Sequence, residues 1–215
     1  MAQSKEQKLW QACTDVDLET VRELADDPAV DVNWGDPEDG RTPFYRACGH
    51  RRTSIVEYLM RNPRVDVVRQ QKSGVTPFFI SCQQGHKEVV SLLLADPRID
   101  PNKPQNEEAT PLYMACQNGH KEVVSLLLAD PRIDPNKPWN NKSTPLWFAS
   151  QNGDLVVVQL LLATGREIDT TMRSTFNNTT AAEHARAMGT ANTGNNETEE
   201  DFQRRKTNGP LRRPD

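Results

Sequence analysis

Long apolar runs are missing from this sequence. No stretch approaches the roughly 20 residues that cross a bilayer. The opening residues, MAQSKEQKLW, are charged from the start and hold no apolar core of signal-peptide length. A strong charge of one sign is missing too. The net charge of −4 gives no electrostatic case for nucleic acid or an anionic membrane as partner. There is no glycine-rich phosphate loop. Only 35% of the residues are hydrophobic and the mean hydropathy is −0.74, so the core is thin and much of the chain is surface. A soluble, cytoplasmic protein is expected, with the nucleus as a second possible compartment.

Cysteine is scarce, and its placement excludes more than its number does. The four cysteines, Cys13, Cys48, Cys82 and Cys116, are spaced by 35, 34 and 34 residues. Such regularity argues for one structural position per repeat and against a disulfide framework. Equivalent Cα atoms of stacked helical units lie about 8–10 Å apart, beyond the roughly 7 Å that a disulfide spans. The thiols are expected to be free and buried.

What the sequence does contain is repetition. Residues 83–104, QQGHKEVVSLLLADPRIDPNKP, recur as residues 117–138 with one change, Gln84 to Asn118. A Thr-Pro pair marks the same period at Thr42-Pro43, Thr76-Pro77, Thr110-Pro111 and Thr144-Pro145. Each pair predicts a helix start, because the threonine oxygen caps a free N–H and proline at the first position has none to lose. A first helix through TPFFISCQQ stops at Gly85, and a second, HKEVVSLLLA, stops before Asp96-Pro97. In that second helix Val89, Val90, Leu92, Leu93 and Leu94 are too many apolar positions for one face. Only stacked copies hide them, so the repeat is the core.

T-P-x-x-x-A, a G-H turn, V-V-x-L-L-L and D-x-N, recurring in register over roughly residues 5–190, resemble the ankyrin repeat. The resemblance implies an all-α solenoid of stacked helix-turn-helix units, with hairpin-like loops along one edge and a concave binding surface. Units are expected near 5–38, 39–72, 73–106, 107–140 and 141–174, with a C-terminal cap at 175–190 carrying TAAEHARAMG. Residues 191–215, which lack periodicity, are expected to be a disordered tail. Unit one lacks Thr-Pro, and Ser4 with Gln7 fits a capping box instead. Unit two has Arg51-Arg52 in place of Gly-His, which predicts a strained inter-helix turn.

The histidine usual in the family three residues after the threonine is replaced by Trp10, Tyr45, Phe79, Tyr113 and Trp147. Five of thirteen aromatic residues in one column predict an aromatic ladder between units, the alternative being an aromatic groove for a ligand. The pairs Cys82/His86 and Cys116/His120 are four residues apart, but the cysteines belong to the core face and each histidine is expected to cap the second helix. The column Asp31, Asp66, Asp100, Asp134 and Asp169 reads as turn-forming side chains and not as a cation site. No catalytic residue, metal or cofactor is expected.

Binding is expected on the concave face and loop tips. The eighth helical residues, His50, Gln84, Asn118 and Asn152, and the fourth, Arg46, Ile80, Met114 and Phe148, share one open face by i, i+4 spacing. Arg41, Val75, Asn106, Glu107, Trp139 and Asn140 join them from the loops. Trp139 is the expected anchor, because Trp147 already fills the ladder position of its unit. The resemblance implies a monomeric, non-catalytic adaptor for a protein partner. The alternative is a regulatory or targeting segment of a larger enzyme.

Overall fold

The computed structural model describes residues 3–175 and 177–186. Every Thr-Pro pair opens a helix: α3 (Pro43–Gly49), α5 (Pro77–Gln83), α7 (Pro111–Gln117) and α9 (Pro145–Gln151). In each, the threonine Oγ1 accepts from the N–H three residues on, at 3.0–3.2 Å. With α1 (Lys5–Asp15) these helices form an inner row in which each packs on the next. An outer row, α2 (Leu18–Asp26), α4 (Thr53–Arg61), α6 (Lys87–Leu94), α8 (Lys121–Ala129) and α10 (Leu155–Ala163), lies behind it. The described residues contain no strand. Helices of 7–11 residues are too short to be stable alone in water, so neighbouring rows hold them.

The core runs unbroken through both rows, from Leu9 to Ala181, and includes all four cysteines. Cys13, Cys48, Cys82 and Cys116 are free and no more than marginally exposed. Burial raises each thiol pKa well above its ordinary value.

Ser4 and Gln7 form the reciprocal capping box, at 3.2 and 2.9 Å. At the other end residues 181–186 are helical, opened by a second reciprocal box between Thr180 and Glu183. His184 lies against Trp147 with centroids 4.7 Å apart. The end of the expected cap and the expected tail, residues 191–215, lie outside the described residues. Arg51 adopts the left-handed φ of 58° that glycine supplies at 85, 119 and 153, so the expected strain in the second unit's turn is present.

The histidines do not cap as expected. His86 and His120 occupy the N-cap positions of α6 and α8 without a side-chain cap bond. Each ring instead reaches the preceding unit, His86 Nε2 to Gly49 O at 2.9 Å and His120 Nε2 to Gln83 O at 2.8 Å. Arg52 takes over this bridge in the second unit by donating to Thr14 O at 2.8 Å. The aspartate column behaves as predicted: each carboxylate accepts from the N–H two residues on, at 2.8–3.0 Å. No cluster of metal-ligating side chains occurs among the described residues.

Candidate functional site on the concave face

The long loops between units fold back as tight hairpins. In the hairpins that lead into the third, fourth and fifth units Gln71, Gln105 and Trp139 each donate across the turn, to Val75 O, Ala109 O and Ser143 O. The tip residue of each is left-handed: Gly74, then Glu108 and Lys142. Neighbouring hairpins are stitched by Lys72 N–H to Asp39 O at 2.8 Å and Asn106 N–H to Ser73 O at 3.0 Å. These hairpins and the inner helices enclose the concave face.

The ladder residues are buried, apart from half-buried Trp10, yet the rings do not simply stack on one another. Tyr113 meets Phe148, the residue after the next ladder member, edge-on at 4.9 Å, and Trp139 from the loop at 5.7 Å. Polar ring tips bond to loops at both ends of the row. Trp10 Nε1 donates to Arg41 O at 2.9 Å and Trp147 Nε1 to Thr179 O at 3.2 Å. In the middle they do not form: Tyr113 Oη and Trp139 Nε1 are buried without a hydrogen-bond partner. Burial raises the Tyr113 phenol pKa, so it keeps its proton at neutral pH. An unmet buried polar atom costs about 1–3 kcal/mol.

Two clefts lie on this face. One, of about 410 Å³, is lined by Val75, Phe79, Gln83, Glu107, Met114, Gln117, Tyr113 and Trp139, with Ser73, Gln105 and Ala109 around them. Tyr113 and Trp139, the residues that carry the two orphaned polar atoms, both line it, with the ladder ring Phe79 beside them. The other, of about 310 Å³, is lined by Arg41, Tyr45, Arg46, Gly49, His50, Ile80 and Gln84. Here Arg46 lies over the Trp10 ring, 4.3 Å from its centroid, and donates to Thr14 Oγ1 at 3.2 Å. Arg41 pairs with Asp39 at 2.7 Å, while its Nε is buried and unpartnered. Desolvation, then the charges of Arg46 and Arg52, lower the His50 pKa, so its ring is neutral at pH 7.

Nine of the fourteen residues expected at the site therefore fall into one cleft or the other. The remaining five do not line either. Asn106 is occupied in the hairpin stitch, its side chain donating to Lys72 O at 3.1 Å. Asn118 and Asn152 are exposed, but their amides donate to Gln83 O and Gln117 O of the preceding helices, at 2.9 and 2.6 Å. Phe148 is half-buried in the ring cluster and Asn140 is exposed at the loop tip. Among the wider loop residues, Val75, Ala109 and Ser143 are buried and offer a partner little area. Trp139 is half-buried against Tyr113 and Phe148, so it serves the core more than its loop position implied. Gln83 and Gln117 were passed over by counting to the eighth helical position. They sit four residues after the ladder rings Phe79 and Tyr113, and that spacing puts them beside the same cleft.

No helix is long and apolar enough to cross a membrane among the described residues. A search of curated proteins gives no match. A family model described as ankyrin repeats (3 copies) matches residues 9–105 and 98–174. Its members are generally protein-interaction modules and typically non-catalytic. With that match spanning most of the chain and the stacked helix pairs in place, the chain belongs to the ankyrin-repeat family.

Proposed function

We propose that the protein is a non-catalytic, monomeric adaptor that holds a segment of a partner protein along its concave face. The carrying observation is the cleft floored by Phe79 and Tyr113, where Tyr113 Oη and Trp139 Nε1 are buried and unpartnered. A backbone carbonyl of the partner meets these donors once the two side chains turn toward it, and an apolar side chain packs beside Met114. The second cleft, with Arg41 and Arg46, receives an acidic or carbonyl-rich continuation of the same segment. Four buried free cysteines support a reducing, cytoplasmic setting.

The test is capture of partners from native lysate on the immobilised full chain, followed by calorimetry with each recombinant partner. Met114→Glu places a charge in the cleft at a half-buried position. Binding at least tenfold weaker, with an unchanged melting temperature, is the expected result. A partner that binds Met114→Glu as tightly as the parent chain does not use this cleft, and the proposal fails for it.

A further inference from the structure

Successive units are tied by an asparagine at three junctions. Asn33 donates to Arg64 O at 2.7 Å and accepts from Asp66 N–H at 2.8 Å. Asn102 makes the same pair with Arg132 O and Asp134 N–H, at 2.6 and 2.9 Å. Asn136 makes it with Glu167 O and Asp169 N–H, at 2.8 Å each. The fourth junction, between the second and third units, has Val68 at this position. The matching atoms there, Arg98 O and Asp100 N–H, take part in no hydrogen bond among the described residues.

A second tie is missing at the same junction. Arg64, Arg132 and Arg166 donate to Val30 O, Ile99 O and Ile133 O of the preceding loop. Arg98 does not reach the equivalent Val65 O. Its guanidinium binds Asp96 at 2.6 Å and Met60 O at 3.2 Å. A cleft of about 400 Å³ opens where both ties are lost, between Val67–Gln70 and Arg98–Lys103. Its apolar wall includes Val67, Phe78 and Ile99, all nearly inaccessible, while Val68 is 43% exposed at the rim. None of its lining residues lines either concave cleft.

We propose that this cleft is a second partner-binding site, which takes a polypeptide segment through an asparagine side chain. The carboxamide completes the unpaired Arg98 O and Asp100 N–H. The chemistry follows from the three filled junctions, where one carboxamide supplies a donor and an acceptor on a single planar group. A carboxylate has no proton for Arg98 O, and a hydroxyl does not span the two atoms. The apolar wall takes the flanking side chain of the segment. The site is independent of the concave face.

The test uses the full chain, nitrogen-15 labelled, titrated to millimolar concentration with the acetylated and amidated peptide Ile-Asp-Pro-Asn-Lys-Pro. This is the sequence of residues 99–104, which carries the bridging asparagine at its own junction. The Asp100 amide resonance is expected to shift saturably, while those of Asp66, Asp134 and Asp169, already filled, stay in place. The same peptide with leucine for asparagine is expected to bind at least fivefold more weakly. In Val68→Asn the protein's own side chain fills the pair, and the Asp100 response is lost. No saturable shift at Asp100, an equal response to both peptides, or an undiminished response in Val68→Asn overturns the proposal. The two-peptide comparison on the parent chain decides even if the variant folds poorly, and an equal response points to backbone pairing or simple apolar contact.

Discussion

His120 and Gln83 lie 37 residues apart, yet His120 Nε2 is 2.8 Å from Gln83 O at the end of the preceding inner helix. The same carbonyl accepts from Asn118 at 2.9 Å. One C-terminal carbonyl, which α5 has no N–H to satisfy, is thus met twice by the next unit. His120→Ala is expected to lower stability by about 1 kcal/mol, the ordinary net value of one such bond. Hydrogen exchange is expected to speed up in α5 and α7 ahead of the distant helices. An unchanged melting temperature and exchange pattern means that the ring does not tie the units.

Acid weakens the stack through its aspartates. The side-chain hydrogen bond from Arg98 holds the Asp96 carboxyl pKa below its usual value, and Arg132 does the same for Asp130. A carboxylate whose folded pKa is depressed contributes stability above its unfolded pKa, near 3.9. That stability is lost as pH falls through the folded pKa. The melting temperature is therefore expected to hold from pH 7 to about 5 and to fall below about 4. Asp130→Asn should flatten the acid side of the profile, as measured by circular dichroism across pH. An identical profile in the variant would sink this assignment.

The four thiols are expected to react slowly with a thiol reagent in the native state and fast in denaturant. Each is buried with a raised pKa, and the thiolate is the reactive form. A native-state count of fast thiols above zero, or a disulfide in non-reducing mass analysis, contradicts this.

Much of the architecture was legible because the repeat is written in local chemistry. Thr-Pro starts, the Ser4–Gln7 box and the aspartate turns are short-range devices, and each was readable within a few residues. The links between units were not. That His86 and His120 bridge backward, and that Arg52 substitutes for them, depends on carbonyls some 37 positions away. Site residues divide on the same line. Arg46, Ile80, Gln84 and Met114 follow from helical spacing and line clefts. Asn118 and Asn152 share that spacing, but the shorter Asn side chain donates to the carbonyl behind it. The single difference within the duplicated segment, Gln84 against Asn118, accordingly separates a cleft-lining amide from a bridging one.

The left-handed residues offer a gain. Glu108, φ 68°, sits where Gly74 sits one unit earlier. Glu108→Gly is expected to stabilise by up to about 1 kcal/mol, since a left-handed L-residue costs about 1–2 kcal/mol and the freer unfolded glycine returns part of it, about 0.4–1 kcal/mol. Arg51→Gly should gain less, because it also removes the exposed Arg51–Glu88 ion pair at 3.0 Å, a contact weakened by solvent but still lost. Chemical denaturation of both variants tests the order. A larger gain at Arg51 than at Glu108 would reverse it.

Trp139 separates packing from binding. Its loop position alone suggests that Trp139→Ala leaves stability untouched. The structure argues for the opposite outcome, because the ring is half-buried and meets Tyr113 at 5.7 Å and Phe148 at 6.4 Å. Two such ring contacts, each about 0.5–1.5 kcal/mol beyond area burial, make Trp139→Ala destabilising by about 2 kcal/mol or more. Alanine therefore cannot isolate the role of Nε1. Phenylalanine comes closer: Trp139→Phe keeps an aromatic ring in the cluster and removes the buried, unpartnered N–H together with part of the indole's packing area. The lost packing and the removed orphan donor act in opposite directions, so stability is expected to stay within about 1 kcal/mol of the parent. Partner affinity is expected to fall about tenfold, the value of one hydrogen bond of about 1.4 kcal/mol. Calorimetric binding and thermal melting on the same two variants give both numbers. Equal affinity in Trp139→Phe would leave the indole N–H without a part in recognition and reduce Trp139 to a packing residue of the ring cluster.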